Sequence, residues 1–467
     1  MGLALAYRWT AALLASFGWL LAATGGMADE PGRSAKDGLV QWMDARLAAR
    51  VAEAGDQVPA TVSDATYIRR ASCDLIGLPP SAEDVAAFAA DTSPDKRERL
   101  VDRLLADREA YAVHWLTFWS DALRNAYRGT GFIDNGRQQI TGWLFQSLYD
   151  NKPYDQFAHE LISPVEGSGG FTRGIKWRGV VNESQRPEIQ AAQNVAQVFL
   201  ATNIKCASCH DSFVNDWKLT DAYRLASVFA EQPLEIHHCD KPTGELSTVG
   251  YIDPNAGEID ATLSRDGRMR QLAELVTSRE NQRFARTIVN RLWSQLMGRG
   301  IVEPLDNLDG GAFDDELLDR LAADLIAHDF DLKRTLRVIA VSQAYQWPAD
   351  LSPREATDKA EQYVCRGPLV KRMSAEQFVD AVGQLTSVWP RPQGVDFTPD
   401  GRQQGGQLGV VAKVLAAAES PASADQARGL DVAQLRLRAA EAKWIWSNED
   451  WRNSPAGSEP TFAGLSS

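Results

Sequence analysis

Pro187-Glu188-Ile189-Gln190-Ala191-Ala192-Gln193-Asn194-Val195-Ala196-Gln197-Val198-Phe199-Leu200 leads, a few residues on, into Cys206-Ala207-Ser208-Cys209-His210. Proline at the head of a helix costs nothing, because its fixed φ suits the first turn and its missing N–H would be unpaired there anyway. Ile189, Ala192, Val195 and Phe199 then recur at helical spacing and form one apolar face. The stretch therefore predicts a buried helix that presents a cysteine-rich motif just beyond its end.

The same period spreads in both directions. Leu100, Val101, Leu104 and Leu105 share a face behind Ser93-Pro94, which reads as a capped helix start, and Tyr111, Trp115, Phe118 and Ala122 form the next stripe. A later helix carries Phe284, Ile288, Leu292 and Leu296, and another carries Leu332, Leu336, Ile339 and Ala340. Ser374-Ala375-Glu376-Gln377 reads as a capping box. Period-2 alternation is scarce, so the fold class expected is mainly α, with two helical blocks joined by irregular loop-rich segments.

The amino terminus carries Arg8 and an apolar run from Trp9 to Ala23, closed by small residues at Gly26 and Ala28. That pattern fits a signal peptide over residues 1–28, too short for a spanning helix. Residues 29–231 then form a first helical domain with the cysteine motif, 232–268 an irregular connection, 269–388 a second helical domain, and 389–467 a linker and an incomplete further segment. The net charge of −13 argues against nucleic acid as a partner, because phosphate binding needs a concentrated basic surface. No transmembrane span is expected once the signal is removed, and the location expected is periplasmic or at the cell envelope.

Cys-x-x-Cys-His spaces two thiols to meet the two vinyl groups of a haem and puts an imidazole beside them as axial ligand. An export signal directs the motif to the compartment where haem c is attached. One covalent haem c is therefore expected, tethered by Cys206 and Cys209, with His210 as proximal iron ligand. Two alternatives stay open: a Cys206–Cys209 disulfide, and a structural zinc held by Cys206, Cys209, Cys239 and one of His237 or His238. The second haem ligand is open among His114, on an apolar helix face, and His237 or His238, in a loop able to fold back. Cys73 reads as a buried small hydrophobe, and at most one disulfide can form among Cys73, Cys239 and Cys365. Arg286, Asn290, Arg291 and Arg299 could bind an anion, but structural hydrogen bonding explains them more simply.

These features, in order, resemble the planctomycete-specific cytochrome-like proteins, in which a cytochrome-like domain precedes a companion domain of unknown function. The first domain is carried by Tyr67-Ile68-Arg69-Arg70, Asp74 to Pro79, Ser93 to Arg97, Leu100 to Leu105, His114-Trp115, Pro153 to Phe157, and Gln197 to Leu200 before the cysteine motif. The companion is carried by Asn281 to Ala285, Val289 to Trp293, Gly298 to Val302, Leu317 to Asp319 and Ser342 to Tyr345. The resemblance implies export and a haem c signature at Cys206, Cys209 and His210, without a settled reaction. Relatives commonly follow the motif with a second His or a Lys and a Pro-Phe-Asp-like turn, whereas Asp211-Ser212-Phe213-Val214-Asn215 stands here. The role expected is electron transfer with a redox partner protein. The competing class is a haem-dependent oxidoreductase acting on an exported substrate such as a polysaccharide.

Overall fold

A computed structural model describes residues 38–124, 140–173, 182–253, 255–351 and 360–386. The segments read as a signal peptide and as the C-terminal linker and further segment lie outside the described residues.

The first block consists of α1 (Gly38–Glu53), α2 (Asp64–Leu75), α3 (Ala82–Ala90), α4 (Lys96–Ala106), α5 (Arg108–Ala122), α6 (Thr141–Tyr149), α7 (Tyr154–Ile162), α8 (Pro187–Leu200) and α9 (Leu219–Ala226). The second consists of α10 (Arg265–Thr277), α11 (Gln282–Met297), α12 (Asp315–Ala327), α13 (Leu332–Val341) and α14 (Ala375–Thr386). The mainly helical, two-block class holds. Pro187 is the first residue of α8, and Ile189, Ala192, Val195 and Phe199 are all buried. The face of α11 from Phe284 to Leu296 is buried too.

Local chemistry sets the ends. Ser63 Oγ accepts the Thr66 N–H at the start of α2, and Asp331 does the same for Lys333 at α13. The capping box at α14 is reciprocal: Gln377 N–H donates to Ser374 Oγ and Ser374 N–H to Gln377 Oε1, both at 3.1 Å. The helix expected to start at Ser93-Pro94 starts instead at Lys96. Asp91 Oδ1 takes the Ser93 N–H at 2.8 Å, which holds Pro94 and Asp95 in a turn before the helix.

Between the blocks the chain is not wholly irregular. Strands β1 (Glu235–His238) and β2 (Lys241–Leu246) form an antiparallel hairpin, and α10 already begins at Arg265 behind the Ser264 cap. The hairpin carries Lys, Pro, Thr, Gly and Glu on its second strand, every one of them exposed. No apolar alternation marks it in sequence.

One hydrophobic core runs through both blocks, from Val40 to Cys365. Helix α7 packs on α10, α8 on α11, α4 on α13, and α1 on α12 and α13. Tyr154 of α7 stacks on Phe284 of α11 with centroids 4.7 Å apart and planes 5° apart. Such a pair contributes about 0.5–1.5 kcal/mol beyond its buried area. The buried Tyr67 hydroxyl donates to the Ala340 carbonyl at 3.0 Å, a second tie between the blocks, here from α2 to α13.

Candidate functional site around Cys209

Helix α8 ends at Ala201, which adopts the left-handed conformation at φ 43° and returns its N–H to Ala196. Arg283 of α11 donates to the carbonyls of Leu200 and Ala201, at 2.6 and 3.2 Å, and so satisfies the helix end from the second block. The chain then turns through Ile204, buried, into a single 3-10 turn over Cys206–Ser208. Within that turn Ala207 and Ser208 face inward. Gln193 donates to Ser208 Oγ at 2.9 Å, and Ser208 Oγ to the Ile204 carbonyl at 3.0 Å. The inner half of the motif is thus fixed to α8, and its reactive half faces out: Cys206 is exposed, while Cys209 and His210 are half-buried.

Beyond the motif, Asp211 Oδ1 accepts the Leu219 N–H at 2.9 Å, anchoring the start of α9 to the residue next to His210. His210 Nδ1 lies 2.7 Å from the Asp211 carbonyl, so Nδ1 is the donor in that bond and Nε2 points away from it. The His210 ring leans on Phe213 at 4.5 Å between centroids, and Phe213 is 87% exposed with Val214 at 76% beside it.

The hairpin closes the other side. Its two-residue loop, Cys239-Asp240, joins His238 to Lys241. The Cys239 N–H donates to the Cys209 carbonyl at 2.6 Å, and Asp240 Oδ1 accepts the Glu183 N–H at 3.1 Å. The hairpin tip is thereby pinned over the cysteine motif. Burial, then hydrogen bonding and charge at Cys239, push the Cys209 thiol up to about 11. His237 projects inward from β1; its Nδ1 is buried without a hydrogen-bond partner, 3.8 Å from Glu183 Oε1. His238 is exposed.

Of the residues singled out from sequence, Cys206, Cys209, His210, Cys239 and His237 are thus gathered at α8, α9 and the hairpin. His114 stands elsewhere, on α5 against α2. Its Nε2 is bonded to the Asp74 carbonyl at 3.1 Å, its ring sits edge-on to Trp115, and burial lowers its pKa to about 4. The Cys3His zinc arrangement is not assembled: among the described residues no group of three or more His, Cys, Asp or Glu is placed to hold a metal ion. All five cysteines are unpaired in the structure, Cys365 buried and Cys73 half-buried. The positioning residues to which sequence reading gave no role are Glu183, Asp211, Asp240, Gln193 and Arg283, which act through hydrogen bonds to backbone groups or, for Gln193, to Ser208.

The polar residues of α11 are structural. Asn290 is fully buried and makes a paired bond with Val302, donating to its carbonyl at 2.9 Å and accepting its N–H at 3.0 Å. Arg286 pairs with Asp315 and Asp319, Arg291 donates to the Gln197 carbonyl, and Arg299 lies over the Tyr363 ring.

The residues present fit a group bound through two thiols and an imidazole. Cys206 is open, His210 Nε2 points away from the Asp211 bond, and Phe213 with Val214 supplies an uncovered apolar edge beside them. Among the described residues no helix is long and apolar enough to cross a membrane.

Residues 42–233 match the family model PSCyt2, a protein of unknown function (DUF1549), and residues 268–436 match PSD1, a protein of unknown function (DUF1553). Neither the curated proteins nor the solved structures include a match to the chain.

Proposed function

The chain belongs to the planctomycete-specific family that joins a cytochrome-like domain to a companion domain, and from that membership we propose that it is an exported c-type haem protein that transfers electrons to or from a partner protein. Cys206 and Cys209 are the attachment thiols and His210 the proximal ligand. The observation that carries this reading is the His210 ring: its Nδ1 is committed to the Asp211 carbonyl at 2.7 Å, so that Nε2 would be the nitrogen left to hold an iron.

When bound, the haem supplies a one-electron iron couple whose potential the axial ligands and surrounding polarity set. The protein's own residues do the rest. Ser208 and Gln193 hold the turn with Cys206 exposed and Cys209 half-buried at its end, and Asp211 accepts from the imidazole while anchoring the start of α9. His237 is the candidate for the second axial position, because its Nδ1 is inward-facing and unbonded at the same site as Cys209. Export through residues 1–28 belongs to the same proposal, since haem c attachment takes place outside the cytoplasm.

The test is production with its leader beside a cytochrome c maturation system, followed by a pyridine-haemochrome spectrum. Covalent haem is expected in the wild type, with Cys206→Ala and Cys209→Ala each impairing its retention. A correctly folded, exported wild type without covalent haem would overturn the reading.

A further inference from the structure

The chain has a third thiol at the site that the haem signature does not use. Cys239 occupies the first position of a two-residue hairpin loop at φ 54°. That left-handed conformation favours Gly, Asn or Asp, and a cysteine there is strained. The conformation is held from outside, by the Cys239 N–H on the Cys209 carbonyl at 2.6 Å and by Asp240 on the Glu183 N–H at 3.1 Å.

The first of those bonds limits how far apart the two residues can be. With standard backbone dimensions, an N···O contact of 2.6 Å caps the Cα–Cα separation at about 6.5 Å. Disulfides span about 4.4–6.8 Å between Cα atoms. Cys209 is half-buried and Cys239 exposed, so one thiol is sheltered and the other meets solvent.

We propose that Cys209 and Cys239 are a dithiol–disulfide exchange pair, with Cys239 as the entry thiol and small or protein-borne disulfides as the co-reactant. The Cys239 thiolate attacks one sulfur of the incoming disulfide RSSR; that S–S bond breaks, RS⁻ leaves and is protonated, and a Cys239–S–S–R mixed disulfide forms. The Cys209 thiol then gives up its proton to solvent as its sulfur attacks the Cys239 sulfur, and the second RS⁻ is expelled and protonated. Two cysteine thiols and one RSSR become one Cys209–Cys239 disulfide and two RSH, so the protein is oxidised by two electrons and the co-reactant reduced by two. One consequence rests on the haem reading: a Cys209 sulfur in this disulfide cannot form a thioether, so reduction of the pair precedes attachment.

The experiment uses the full chain made without haem, reduced, desalted and titrated with oxidised glutathione. Intact mass and a non-reducing peptide map should give a loss of two hydrogens and a Cys209–Cys239 cross-link. Cys206→Ser should retain that link. Cys239→Ser, at an exposed hairpin tip, should instead stop at a glutathione adduct or leave the thiols free. A Cys206–Cys209 link in the wild type, or no intramolecular link in chain whose circular dichroism is that of the folded protein, would overturn the proposal. Because no haem is present, the result is independent of the haemochrome test.

Discussion

A β-carbon placed on Gly77 would stand 2.5 Å from Nδ1 of His114, and Gly77 itself sits at φ +75°. The turn after α2 and the imidazole on α5 are therefore fitted to each other, with the ring's far nitrogen held by the Asp74 carbonyl at 3.1 Å. Gly77→Ala combines backbone strain with a clash against a largely buried imidazole held by its bond to Asp74. It should lower stability by about 2–4 kcal/mol, read as a shifted urea midpoint at constant slope. An unchanged midpoint would contradict the packing described.

The same histidine gives the fold a pH dependence. Burial, outweighing the bond to Asp74, lowers its pKa from 6.5 to about 4. Between those values the unfolded chain binds a proton that the folded chain refuses. The stability His114 permits is thus whole above the unfolded pKa, falls as the pH drops through that window, and reaches a loss on the order of 3 kcal/mol at its lower end. His114→Gln should flatten this part of the stability profile when urea unfolding is followed from about pH 7 down to about pH 4. An unaltered slope would mean that other groups carry it.

Asn290 is the sharpest test of the polar residues on α11. Asn290→Asp keeps the shape but removes the donor to the Val302 carbonyl and places a carboxylate at a fully buried position. A loss of about 2–4 kcal/mol is expected, recovering in part at low pH as the acid is protonated. Thermal melts at neutral and acidic pH provide the comparison.

For the haem-loaded protein, the two inward-facing histidines make opposite predictions. His237→Ala should turn a low-spin spectrum high-spin without releasing haem, because the thioethers remain. His114→Ala should lower thermal stability and leave the Soret band where it is. The reverse pattern would transfer the axial role to His114.

Much was legible in the residues alone. The helices of both blocks could be read from their apolar period, since an α-helix must repeat its buried face every three to four residues whatever it packs against. Pro187 and the Ser374–Gln377 box marked helix starts because a cap is satisfied within a few residues. Cys206-Ala207-Ser208-Cys209-His210 stood out by its spacing, which is also local, and the haem it would hold belongs to the proposal.

What sequence left open depends on contacts between distant segments. Ser93-Pro94 lies just before the helix rather than at its start, because the Lys96 N–H closes a turn on the Ser93 carbonyl at 3.3 Å. The hairpin was invisible because β2 is exposed throughout and has no face to alternate. His114, His237 and His238 all stood as open candidates, and packing puts one against Gly77, one beside Glu183 and one in solvent. The amino acids thus determined the helices and the motif, through interactions that close within a turn or two. Only the tertiary structure brought Cys239 to Cys209, 30 positions earlier, and Arg283 to the end of α8, because those bonds exist only after the whole chain has closed around one core.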